Sequence, residues 1–302
     1  GPPGSPEFPV DIYLSQLFTG LSVGSVLLLI ALGLTFTFGQ MGVINLAHGE
    51  LIMAGAYTAY MVGGPIGESV SLLVALPVAF ALAGTMGLVL ERVLTRRLYG
   101  RPLDTLLVTW GVSLVLQQAA RDIFGAPNVN ATAPSWLGGG VVIAGATLPY
   151  ARIFIIALVA LSVTGIWLYM TRLPHGRRMR AVMQNRQLAS CSGIATEGVD
   201  QRTFFIGSGL AGMAGVALTL LGPIGPSLGT AYIVDAFLVV VAGGLGQLRG
   251  AVFAAIGLGV LQALVEFKTQ ASLAKVIAFV AVVLLLQVRP QGLVSVRSRA
   301  LT

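Results

Sequence analysis

The chain has 302 residues, 56% of them hydrophobic and only 10% charged, with a mean hydropathy of +0.88. Soluble domains carry about 25% charged residues, so this composition excludes an ordinary soluble fold and fits a chain whose apolar side chains face lipid. A net charge of +7 would point to nucleic acid on a soluble protein. Here the basic residues gather in a few short loops, which is the mark of membrane topology and argues against a nucleic-acid partner. The single cysteine, Cys191, excludes an internal disulfide and a cysteine-cluster metal site.

Residues 1–8 (GPPGSPEF) read as a tag-cleavage and linker scar, leaving 9–302 as one transmembrane domain. Apolar runs long enough to span follow at roughly 14–38, 42–62, 70–94, 103–124, 151–171, 203–222, 228–246, 250–266 and 272–288. The expectation is therefore an all-α, polytopic membrane protein with about eight to ten transmembrane helices, the glycine-rich segments being broken or re-entrant. Most basic residues fall in three clusters: Arg92, Arg96, Arg97 and Arg101; Arg172, Arg177, Arg178, Arg180, Arg186 and Arg202; and Arg289, Arg297 and Arg299. With alternating spans all three lie on one side, with Arg249, and the excess of arginine assigns that side to the cytoplasm. The C-terminus is then inside and the N-terminus outside. Residues 125–150 form a long outside loop and 172–202 a basic inside loop.

A faint internal repeat is visible. Gly39-Gln40-Met41-Gly42 precedes an apolar stretch holding Asn45, His48 and Glu50, and Gly222-Pro223-Ile224-Gly225-Pro226 precedes one holding Tyr232 and Asp235. The two run in opposite directions, the pattern of inverted repeats with broken helices that border a transport path. Glu50 and Asp235 are the acidic residues inside apolar segments, where an unpaired charge costs at least ~2.5–3.5 kcal/mol. Either they face a polar path, or they cap half-helices beside it. His48 has no second histidine or cysteine at ligand spacing, so a structural hydrogen bond is the simpler reading and a metal is not expected. Asn45 reads the same way.

Thr105, Thr109, Ser113 and Gln117 are spaced by four and share one helix face, with Trp110 and Gln118 beside them. The stripe either lines a path for a neutral polar solute or bonds helix to helix. In the basic loop, residues 177–191 can form a short amphipathic helix that Gly193 ends, with Val182, Arg186 and Ala189 on one face. That helix either rests on the lipid surface or docks a cytoplasmic partner. No phosphate-binding glycine loop, nucleophile elbow or zinc-peptidase motif is present in the sequence, so neither ATP hydrolysis nor other catalysis is expected of this chain alone.

The stretch Gly42 to Leu51 (GVINLAHGEL), continuing through Gly55-Ala56-Tyr57, resembles the signature of permease subunits in the branched-chain amino acid ABC transporter family. Arg180-Ala181 through Gly193-Ile194 resembles that family's coupling helix, and Ala242 to Gly246 with Gly250-Ala251 its second glycine-rich region. Within the family, Arg101 to Gln118, continuing to Val129, and Leu273 to Leu293 resemble the urea-transporter branch. Ser190-Cys191-Ser192 departs from the small or apolar residues usual there.

The resemblance implies a type II importer fold in the bacterial inner membrane. It implies a second permease subunit, identical or not, two cytoplasmic ATPase subunits that bind the ATP and magnesium, and a periplasmic solute-binding protein. The implied solute is urea or a short amide; a branched-chain amino acid permease and a passive channel for a small neutral solute are the alternatives. For the solute path the candidates are Asn45, His48, Glu50, Tyr57, Thr109, Trp110, Gln117, Gln118, Tyr232 and Asp235. For ATPase coupling they are Arg177, Arg180, Ala181, Gln184, Asn185, Leu188, Ala189, Gly193 and Ile194.

Overall fold

A computed structural model describes residues 10–143 and 145–294. The scar at 1–8 and Arg297 and Arg299 lie outside the described residues. Each of the nine expected segments is helical: α1 (Val10–Met41), α2 (His48–Ile66), α3 (Glu68–Val93), α4 (Pro102–Phe124), α5 (Tyr150–Arg172), α8 (Thr196–Leu218), α9 (Leu228–Gly243), α10 (Leu248–Lys268) and α11 (Ala271–Val288). Between α5 and α8 lie the short helices α6 (Pro174–Gln184) and α7 (Arg186–Cys191). Proline opens α4 and α6, where its missing N–H forfeits no bond.

Five helices, α1, α3, α5, α10 and α11, are long and apolar enough to cross a membrane. The others are shorter or more polar, and α2 and α8 are shielded: they pack on each other and on α3. Glu50 and Thr58 of α2 and Thr203 and Ser208 of α8 are thereby buried, which is what makes such helices tolerable in a bilayer.

The first break separates α1 from α2 over residues 42–47, and the second separates α8 from α9 over 219–227. Both lie where glycine, proline and polar residues interrupt the apolar runs. The two units are inverted. Gln40 near the end of α1 bonds Asp200 near the start of α8, so α1 runs toward this end of the bundle and α8 away from it. The packing repeats as well, since α3 lies along α8 and α10 lies along α1.

The first turns of α2 and α9 meet backbone to backbone. A β-carbon on Gly49 would stand 2.7 Å from the Gly229 carbonyl oxygen, and one on Gly229 would strike Gly49. Only glycine allows this approach. Gly33 and Gly207 make the corresponding contact between α1 and α8.

The described arginines of the clusters gather at one end of the bundle. Arg96 pairs with Glu197, Arg92 bonds Gln201, and Arg186 stacks over Tyr99. The Gly246 turn touches Met183, and the C-terminal segment docks through Leu293 N–H to Ala242 O. At the opposite end, residues 125–149 carry a small antiparallel hairpin, β1 (Gly140–Ile143) and β2 (Ala146–Pro149), which the sequence reading did not anticipate. That loop covers the second break through a two-way backbone pairing of Val129 with Ile224.

Candidate functional site: a carboxylate at two apposed helix starts

Glu50 sits in the first turn of α2 and is 1% exposed. Its Oε1 accepts from Ser113 Oγ at 2.7 Å and from Gln117 Nε2 at 2.9 Å, both on α4. Gln117 Nε2 also reaches Thr230 Oγ1 at 3.0 Å, in the first turn of α9. One polar cluster therefore joins α2, α4 and α9 where two helix N-termini face each other. The dipoles there favour negative charge, which suits a carboxylate that makes no ion pair among the described residues.

The first break is pinned to the same face of α4. Thr109 Oγ1 accepts from Leu46 N–H at 3.2 Å and lies 2.8 Å from Thr105 O, the carbonyl to which it donates. His48 is wholly buried and its Nε2 lies 3.2 Å from Ile30 O. Polar atoms remain buried without a hydrogen bond along this stretch: both amide atoms of Asn45, His48 Nδ1, Glu50 Oε2 and the Tyr57 hydroxyl. The Tyr57 ring stacks on Phe124 with centroids 4.1 Å apart.

The other candidate residues lie elsewhere. Trp110 is exposed on α4, and Gln118 bonds Asp122 one turn on rather than the cluster. Tyr232 is half-buried against the core. Asp235 pairs with Lys275 of α11 at 3.3 Å, and Lys275 also donates to Ala231 O. This ties α9 to α11, apart from the Glu50 cluster. Thr230 is the member of the cluster that sequence reasoning missed; its position just past the second break was the available signal.

At the arginine-bearing end the loop is two helices rather than one. Asn185 is extended (φ −157°) and its Oδ1 accepts from Leu188 N–H at 3.0 Å, ending α6 and capping α7. Gly193, at φ +81°, closes α7. Val182 and Ala189 are buried, while Arg177, Arg180, Gln184, Asn185, Leu188 and Gly193 are exposed and Ala181 and Ile194 half-buried. Arg186 turns inward and grips the wholly buried Asp200 with two bonds, 3.0 and 2.6 Å. Gln40 at the end of α1 donates to the same carboxylate at 2.7 Å and accepts from Thr203. Tyr99 donates to Glu91, and burial together with the nearby Asp200 and Glu91 carboxylates pushes its phenol well above the ordinary value. The α6–α7 segment is thus wired to Gln40 in the last turn of α1, two residues before the first break begins.

Residues 16–286 match the family described as the permease component of branched-chain amino acid transport systems. The chain belongs to this family. It is 32% identical to the high-affinity branched-chain amino acid transport system permease protein BraD of Pseudomonas aeruginosa, an alignment covering 93% of this chain and 95% of that protein. To the permease protein LivH of Escherichia coli it is also 32% identical, over the same shares. A more distant likeness, 29% over 85% of this chain and 78% of the relative, is to the ribose import permease protein RbsC of Escherichia coli. No solved structure matches it. The chain is thus a multi-pass membrane permease subunit of an ABC transporter.

Proposed function

We propose that this chain forms the solute path of an ATP-driven importer for urea or short amides in the bacterial inner membrane. The observation that carries the reading is the row of buried, unbonded polar atoms on Asn45, His48, Glu50 and Tyr57, beside the Glu50–Ser113–Gln117–Thr230 cluster. Each such atom costs about 1–3 kcal/mol in a dry interior. A chain keeps them where a second conformation or a passing polar solute satisfies them.

The cluster's chemistry favours a neutral N–H donor. Glu50 is bonded to a hydroxyl and an amide, so a neutral solute with N–H groups can replace those donors without bringing charge, whereas a zwitterionic amino acid brings an ammonium and a carboxylate that both need partners. The likeness of residues 101–129 and 273–293 to the urea branch supports the same solute. A branched-chain amino acid is the second reading, favoured by the names of the BraD and LivH relatives.

The arginine-bearing end is the cytoplasmic end on this reading, with the C-terminus there. The exposed residues of α6 and α7 dock one of two ATPase subunits. Arg186, Asp200 and Gln40 carry the movement to the first break. The second permease subunit and a periplasmic binding protein complete the importer. The test is binding of radiolabelled urea, acetamide and leucine to the cognate periplasmic protein. Urea and acetamide binding with leucine excluded supports the proposal; leucine binding alone moves the chain to the second reading.

A further inference from the structure

At the arginine-bearing end, a cavity of about 620 Å³ opens between the last turn of α3, the junction of α5 and α6, and the start of α8. Its lining joins half-buried apolar side chains, Leu88, Phe205 and Ile206, to exposed basic ones, Arg92, His175 and Arg202. Neither arginine has a carboxylate within ion-pair distance among the described residues. Arg92 donates to Gln201 Oε1 at 3.1 Å, and the Arg202 guanidinium lies against the His175 ring. The nearby acids are held by other groups: Glu91 accepts from Tyr99, Asp200 is gripped by Arg186 and Glu197 by Arg96.

We infer that this cavity binds an anionic phospholipid, with the phosphate between Arg92 and Arg202 and an acyl chain along Leu88, Phe205 and Ile206. Two features select a lipid over a soluble anion. The basic side chains lie where α3 and α5, both of membrane-crossing length and apolarity, end in arginine, which is the level of the headgroups. The apolar side chains lie beside them, where a free phosphate gains nothing and a methylene chain does. Paired guanidinium groups suit phosphate oxygens, since each offers two parallel N–H donors. Because α3, α5, α6 and α8 all border the cavity, a bound lipid fastens the base of α6 to α8, whose Asp200 bonds Gln40 near the first break.

The test is native mass spectrometry of the delipidated chain titrated with phosphatidylglycerol, phosphatidylcholine or inorganic phosphate. The expected result is retained phosphatidylglycerol adducts, displaced by neither of the others, with retention weakened at least about tenfold in Arg92→Gln/Arg202→Gln. Arg92→Lys/Arg202→Lys, which keeps both charges, should hold most of the binding, and Lys268→Gln at the far end all of it. Size exclusion and helix content show whether the double variant is folded. Equal retention of phosphatidylcholine, displacement by phosphate alone, or undiminished binding in a folded Gln/Gln variant would overturn the assignment. The result is independent of which solute the importer carries.

Discussion

Removing Arg186 destabilises the protein more than neutralising its partner, Asp200. The asymmetry follows from burial: the Asp200 side chain is 0% exposed and that of Arg186 38%. In Arg186→Ala the carboxylate stays buried with the Gln40 amide and no cation, a situation that costs about 3 kcal/mol or more. In Asp200→Asn the freed guanidinium turns to water, and the loss is near that of one or two hydrogen bonds, ~1 kcal/mol. The gap of ~2 kcal/mol corresponds to roughly 30-fold in the folding equilibrium. Reversible unfolding of the purified chain in mixed micelles measures it. The double variant Arg186→Ala/Asp200→Asn should be more stable than Arg186→Ala alone, since the stranded charge is gone. Equal losses in the two single variants, or no recovery in the double, would refute the reasoning.

Other outcomes follow from the same geometry. Gln117→Ala removes the donor that joins Glu50 to Thr230 and should slow solute uptake about tenfold, or ~1.4 kcal/mol of barrier, with little change in expression. Glu50→Gln should slow it at least as much, and full uptake by Glu50→Gln would remove the charge from the mechanism. Gly55→Ala drives a methyl group into the Gly212 backbone between α2 and α8 and should cost about 2 kcal/mol, whereas Gly257→Ala meets open space on α10 and should be neutral or better; the same unfolding assay compares them. Arg180→Ala/Gln184→Ala/Asn185→Ala strips exposed groups of α6 and its junction with α7, so ATPase subunits should co-purify poorly while membrane insertion is unchanged.

The broken helices were legible because they are written locally: glycine, proline and polar side chains interrupt apolar runs at 39–50 and 222–235. Glu50 was legible because a carboxylate in an apolar segment needs a reason. The four-residue spacing of Thr109, Ser113 and Gln117 correctly placed them on one helix face, and the structure shows what that face meets. Thr230 was not legible, since a threonine in an apolar helix stands out only once α9 is known to begin beside α2. The role of Asp200 was hidden for the same reason: its partners, Gln40 and Arg186, lie 160 and 14 residues away, and a residue at the start of a helix in a basic loop looks solvated. The split at Asn185 was hidden by the amphipathic pattern, which continues through it while the side chain takes the backbone's bond.

The central claim is that this chain conducts its solute only when coupled to ATP turnover. The direct measurement is uptake of labelled urea into proteoliposomes holding this chain with its partner permease, ATPase subunits and binding protein. The account predicts uptake that requires hydrolysable ATP and is lost when the ATPase subunits are left out. Undiminished urea flux through the permease without ATPase or ATP would contradict it and make the chain a channel.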